Sequence, residues 1–271
     1  MKRLGVTPTV CSIPLAVFAV CAAFAGWLVP QATRQDVLLG VVPAGSAGHL
    51  FGTDTLGRDI FQLAVAGTRS AVVGPVCVAL GSMVIGIVLG TFAGYLGGWI
   101  DLALTKYADL LLALPTTLIA LVVAGLIDGG YWVTVLVLVV LFSPTDIRMV
   151  RSSVLSQATR PYIESARVLG LSRRRIMFRH ILPNVLPVAF ATMLLNIAFA
   201  LVAMSALSFL GLGIEPGQPD WGRQLADGRD LLGRNSAAVI VPGVLIIVAA
   251  ATINVLGDWL QERSERRAAR R

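Results

Sequence analysis

The chain has 271 residues, 56% hydrophobic and 14% charged, with 22 Lys and Arg against 15 Asp and Glu for a formal net charge of +7. A soluble domain carries about 25% charged residues, so this chain cannot clothe a water-facing surface of its size and is neither disordered nor a soluble enzyme. Its charges cluster, with gaps about as long as a bilayer is thick, so their placement says more than their sum and gives no pointer to nucleic acid.

Crossing the hydrocarbon as a helix takes about 20 apolar residues. Six charge-free stretches qualify: 10–29, 70–100, 110–127, 129–145, 181–214 and 235–257. The first follows Lys2-Arg3 and contains Ala23-Phe24-Ala25, the pattern of a cleavable signal peptide. The apolar run continues through Trp27, Leu28 and Val29, so a retained span is expected. Cys11, Cys21 and Cys77 fall inside spans and are expected to act as small buried hydrophobes. Their spacing suggests neither a disulfide framework nor zinc. The two histidines, His49 and His180, make a histidine-based metal site improbable.

Between the first two spans lies Gly52-Thr53-Asp54-Thr55-Leu56-Gly57-Arg58-Asp59. Asp54 is expected to cap a short helix over 55–66, and Arg58 to pair with a nearby carboxylate. A loop that fixes the fold and a surface that touches substrate both fit this segment. In the second span Gly86, Gly90 and Gly94 recur every fourth residue. Stacked small residues let helices approach closely in lipid. This predicts close packing within the chain, with a subunit interface as the alternative.

Pro115 interrupts the third span, where a kink is tolerated if neighbours satisfy the freed carbonyl. Asp128-Gly129-Gly130 marks the tip of a hairpin to the fourth span. The stretches 70–100 and 181–214 are each read as one tilted helix plus an interfacial turn. No ionisable residue is placed at the centre of any span, which argues against a proton-coupled pump or ion exchanger.

Six helices with both termini in the cytoplasm put 16 of the 22 Lys and Arg inside and six outside. The net charge is then +9 inside and −2 outside, as the positive-inside rule requires. Splitting 181–214 into two spans would place the arginine-rich tail outside. The fold class is therefore all-α, a polytopic membrane protein. Residues 1–69 hold the first span and an extracytoplasmic loop, 70–260 a core of five spans, and 261–271 a basic cytoplasmic tail.

The inner loop 148–180 carries eight of the inner basic residues. Thr159 is expected to cap a helix with Pro161 in its first turn, and Gly170 to end it in the left-handed conformation. Ser172 is expected to cap a second short helix that ends near Pro183, where the next span begins. Apolar Ile163, Ala166, Leu169, Ile176, Met177 and Ile181 lie among the arginines. Such a unit suits a rigid knob for a partner below the membrane, and equally a basic helix lying on anionic lipid.

The wording of this loop resembles the "EAA" loop of ATP-binding-cassette importer permeases: Glu164-Ser165-Ala166, then Gly170, then His180-Ile181-Leu182-Pro183-Asn184. Ser165 stands where alanine is usual. The segment 52–59 resembles the signature of the "C" permease of dipeptide, oligopeptide and nickel importers, although Gln62-Leu63 departs from its usual continuation. The segments 207–213, 219–230 with Trp221 and Asp227, and 254–258 agree with that subfamily, while the tail from Gln261 departs.

The resemblance implies that Glu164, Ser165, Ala166, Gly170, Ile181, Leu182 and Pro183 belong to a coupling helix region that docks on an ATPase. Gly52, Asp54, Gly57, Arg58, Asp59, Trp221 and Asp227 form its extracytoplasmic signature. It implies as partners a second homologous permease, two ATPase subunits, an extracytoplasmic binding protein and the bilayer, with no nucleic acid. The expected cargo is dipeptides or short oligopeptides, with nickel or another small solute as the alternative. A P-loop needs a lysine in Gly-x4-Gly-Lys-Ser/Thr, and neither Lys2 nor Lys106 has that context. No cofactor is expected in the chain, ATP and Mg lying on the partner ATPases. A secondary transporter or channel is the rival class, and an intramembrane enzyme a poorer one.

Overall fold

The computed structural model describes residues 6–127 and 129–268. Asp128, Lys2, Arg3, Arg270 and Arg271 lie outside the described residues. Ten helices follow in order among the described residues: α1 (Val6–Leu28), α2 (Ile60–Leu96), α3 (Gly98–Leu112), α4 (Thr116–Ile127), α5 (Gly130–Ala158), α6 (Pro161–Val168), α7 (Arg173–Arg175), α8 (Leu182–Phe209), α9 (Trp221–Gly228) and α10 (Ala237–Ala268). A π turn over Ile176–Ile181 joins α7 to α8. No β-strand occurs among the described residues, only two isolated bridges.

Five helices are long and apolar enough to cross a membrane, and six if α3 and α4 count as one broken span. The break is sharper than the expected kink at Pro115, since α3 and α4 meet at 85°. Proline has no N–H, its ring clashes with the preceding turn, and it drives its predecessor out of helical space. Counted as one broken span, the pair starts at Gly98, not at 110. Its second arm has 12 residues, about 18 Å of helix, too short to span alone.

The chain follows α2 as one 37-residue helix starting at Ile60, ten residues or so before the charge-free stretch. Its cap is Asp59, whose Oδ1 accepts from the Gln62 N–H at 3.0 Å, so the expected helix over 55–66 capped by Asp54 does not form. Asp54 is engaged elsewhere, as described below. Gly86, Gly90 and Gly94 face α5. A Cβ on Gly86 would lie 2.4 Å from the Asp146 Cβ, one on Gly90 2.7 Å from the Ile147 carbonyl, and one on Gly94 2.8 Å from the Arg151 carbonyl. The glycines let two backbones meet, which no larger residue allows.

α5 runs through the fourth charge-free stretch and on to Ala158. Pro144 lies inside it and frees the Val140 carbonyl, which the Ser143 hydroxyl takes up at 2.8 Å. Because the helix continues past Thr145, Asp146 falls within a span and is 3% exposed. The expectation that no ionisable residue stands at the centre of a span is corrected here, since Asp146 is the seventeenth of the 29 residues of α5. α8 is a single crossing that ends at Phe209, and α1 and α10 pack on its and α2's far side around Phe18, Leu201 and Trp221.

Candidate functional site

Two regions at opposite ends of α8 hold the residues singled out in the sequence. At its start lies the loop after α5. Thr159 does not cap α6; its hydroxyl donates to the Ser156 carbonyl, and Arg160 holds the cap position without a side-chain bond. Pro161 supplies a pre-set φ at the first turn. Gly170 ends the helix with φ +72°. The Gly170 N–H donates to the Arg167 carbonyl at 3.0 Å and the Leu171 N–H to the Ala166 carbonyl at 3.2 Å, a Schellman closure. Ser172 then caps α7 through the Arg175 N–H.

The expected stop at Pro183 is absent. The helix passes from α7 into α8 because the π turn carries the Leu182 N–H to the Met177 carbonyl, five residues back. The wider turn makes room for the proline ring, which would clash with the fourth carbonyl behind it in an α-helix.

Ile163, Ala166, Ile176, Ile181 and Val185 are buried against Met83, Val150 and Val154. Three further ties hold the unit still. The Tyr162 hydroxyl donates to Gln157 at 3.0 Å and accepts from the Asn184 amide at 3.3 Å. The Arg167 guanidinium lies 5.8 Å from the Tyr95 ring centre, and Phe178 meets Phe92 edge-on. Glu164 and Ser165 are exposed, Leu182 is half-buried and Pro183 exposed. At the apex Val168 is 88% and Leu169 78% exposed. Leu169, one of the apolar residues set among the arginines, thus points outward. Val168 was not legible as a site residue because it lies off the stripe of Ile163 and Ala166. Only the Schellman geometry shows that both point away from the core.

At the other end, the 52–59 segment is buried structure rather than a solvated loop. One Asp54 oxygen accepts the Leu56 and Arg58 N–H groups, both at 2.9 Å, and the other accepts from the Arg58 Nε at 2.7 Å. Arg58 also donates to the Gly217 carbonyl at 3.2 Å and stands 3.9 Å from Asp227. Asp227 in turn lies 3.1 Å from Arg223. This joins the two expected signature segments, one before α2 and one in α9. Gly57 has φ +70° and a Cβ there would overlap the Asp36 carbonyl at 1.9 Å; Gly52, at φ +73°, meets the Val42 carbonyl at 2.2 Å.

Asp59 also pairs with His49 at 2.7 Å. The Trp221 indole N–H donates to the Ala64 carbonyl at 2.8 Å. Asp220, the cap of α9, bonds Ser70 at 2.9 Å. Burial pushes its carboxyl up, opposed by the N–H groups of Arg223 and Gly222 and the hydroxyls of Ser70 and Ser208. Asn235, which the sequence did not single out, donates to the Val42, Phe51 and Thr53 carbonyls.

Breaking a buried ion pair from one side leaves an uncompensated charge, which costs roughly 3–5 kcal/mol. Arg58→Ala is expected to lose most of that and to lower the unfolding temperature of the detergent-solubilised protein. Arg229→Ala, whose partner Asp230 is exposed, is the surface control expected to change nothing measurable. Equal thermograms for both would show that the Asp54–Arg58 pair does not hold this end together.

Residues 86–270 match a family model described as the binding-protein-dependent transport system inner membrane component. The chain belongs to this family. It is thus an inner-membrane, multi-pass component of such a transport system. It is 33% identical to the di/tripeptide transport system permease protein DppC of Pseudomonas aeruginosa, over 89% of this chain and 82% of that one. It is 32% identical to the dipeptide transport system permease protein DppC of Alkalihalophilus pseudofirmus, over 90% and 81%. It is 36% identical to the glutathione transport system permease protein GsiD of Pectobacterium atrosepticum, over 80% and 72%. In a solved structure of inward facing conformations of the MetNI methionine ABC transporter, one chain superposes with a TM-score of 0.59 at 18% identity, over 76% of this chain and 97% of that one. At that identity the likeness concerns the fold alone.

Proposed function

We infer that this permease moves dipeptides or short oligopeptides into the cytoplasm by alternating access, driven by separate ATPase subunits. The observation that carries the reading is the loop after α5. It is a rigid helix–turn–helix clipped to α2, with Glu164, Val168 and Leu169 outward at its apex. An exposed apolar pair on a braced turn suits a cleft on a soluble partner, and lipid contact alone would not need the bracing.

In this reading residues 159–184 face the cytoplasm and the 52–59 segment faces outward, where a binding protein delivers cargo. A second homologous permease completes the path, and two ATPases bind ATP and Mg. The ATPases close on ATP, move the loop, and rotate the spans. The peptide assignment rests on the names of the two DppC relatives. The GsiD relative favours glutathione as the second cargo.

The test is uptake by the complete complex in liposomes with ATP inside the ATPase-bearing compartment. Labelled dipeptide is expected to accumulate only with ATP and the binding protein, and excess unlabelled glutathione to leave it unchanged. Competition by glutathione would move the cargo to the second reading. Gradient-driven uptake by this chain alone would overturn the importer mechanism.

A further inference from the structure

The loop that receives the ATPase hangs between two helices, α5 entering it and α8 leaving it. Movement of the loop does useful work only if both helices move as one lever. Near the loop they are joined by the apolar packing of Val150 and Val154 with Ile181, Val185 and Ala189. Higher up, the two helices differ in their attachments. α5 is seated in the glycine groove of α2. α8 meets α5 there through the apolar cluster of Val135, Leu138, Ala200 and Met204, which can slide, and, among the described residues, through a single directional side-chain contact. The Asn196 amide donates to both oxygens of Asp146, at 2.9 and 3.1 Å. Among the described residues this is the one side-chain hydrogen-bonding pair between α5 and α8.

Both partners are buried, Asp146 at 3% and Asn196 at 5% exposure. Among the described residues no ion pair reaches Asp146, and the buried Ser82 of α2 spends its hydroxyl on the Ala79 carbonyl at 3.2 Å. Gly86 of α2 lies directly against Asp146, so three helices meet at this level. Asp146 sits about 18 Å along α5 from its loop end, and Asn196 about 21 Å along α8 from its own. The pair is therefore almost level on the two arms. It lies two residues beyond Pro144, where the α5 ladder lacks a backbone bond and bends most easily. A polar group buried between spans is costly unless paired and is a functional feature by default.

We propose that Asp146 and Asn196 form the pin that makes α5 and α8 turn together when the 159–181 loop is moved, so that ATP hydrolysis is converted into opening of the path. They are positioning residues and touch no cargo. The proposal rests on the importer reading. Without the pin the loop still docks and the ATPases still turn over, but α5 bends at Pro144 and α8 does not follow.

The experiment measures uptake and ATP hydrolysis together in the reconstituted complex. Asn196→Val and Asp146→Leu are expected to keep hydrolysis within about twofold and to lower uptake per ATP by about tenfold or more, the range of a typical coupling free energy. The exchange Asp146→Asn with Asn196→Asp rebuilds the pair with its ends swapped and is expected to restore coupling. Asp146→Asn alone keeps one interhelical hydrogen bond and is expected to retain most of it. Unchanged uptake per ATP in both apolar variants would overturn the pin. So would loss of coupling in an assembled Asp146→Asn complex, which would show that the charge itself acts. Should the apolar variants fail to assemble, the exchange and Asp146→Asn decide on the same criterion. A wild-type complex with no ATP-driven uptake would instead defeat the importer reading, before any variant is compared.

Discussion

Replacing Val168 and Leu169 together with aspartate is expected to release the ATPase subunits and to reduce ATP-driven uptake by about a hundredfold or more. Each apolar side chain, if covered by the partner, contributes roughly 1.5–3 kcal/mol through burial. The aspartates lose that contribution and add two carboxylates to an apolar cleft with no cation to meet them. Together these terms exceed the roughly 2.7 kcal/mol that a hundredfold change requires. The fold is expected to survive, because both side chains are exposed and lie outside the cluster of Ile163, Ala166 and Ile176. Affinity purification through a tag on this chain measures the outcome, with thermal unfolding as the check on folding. ATPase recovered at the wild-type ratio would remove the apex from the docking surface. Ala166→Asp gives the contrast: it places a charge in the core cluster and is expected to lose the protein altogether.

Much of the fold was legible in the sequence because a bilayer imposes a length. Five of the six charge-free stretches correspond to helices long and apolar enough to cross, and 110–127 to the second part of the bent α3–α4 pair. What the stretches missed are the helix ends, since charge marks where a span leaves lipid and not where hydrogen bonding stops. Ile60 begins α2 amid polar neighbours because Asp59 caps it. α5 continues past Asp146 because the carboxyl finds Asn196, 50 residues later in the chain. A single sequence cannot pair those two positions, so Asp146 looked like a boundary.

At the candidate sites, local turn chemistry was readable and long-range partners were not. Gly170 and Ser172 occupy the conformations their residue types suggest. Asp54 has the right chemistry for a cap, but Arg58 and two backbone N–H groups offer it more than one helix end would. Pro183 reads as a stop in any helix rule, and the π turn evades the rule by widening one turn. Asn235 and Arg58 gain their importance from carbonyls at Val42, Phe51 and Gly217, which are remote in sequence.

The second large effect is expected at the glycine groove. Gly90→Leu should prevent α2 and α5 from packing and leave little assembled complex. A Cβ alone at that position meets the Ile147 carbonyl at 2.7 Å and the Val150 Cβ at 2.8 Å. The first is backbone and the second is β-branched and buried, so neither moves by a rotamer change. The rest of a leucine has no space at all, and overpacking of this kind costs about 3 kcal/mol or more. The helices have no other way to recover the contact, since lipid solvates apolar side chains as well as another helix does and close backbone approach is what holds spans together. The same substitution at Gly125 in α4, where nothing lies within 4 Å, is expected to be tolerated. The measurement is the fraction of detergent-solubilised protein eluting as assembled complex, read against its unfolding temperature. Comparable yields from the two leucine variants would mean that α2 and α5 can part without loss. The Asp146–Asn196 pin would then have no fixed body to turn against, because the groove that seats α5 beneath Pro144 is the same one that Gly90 keeps open.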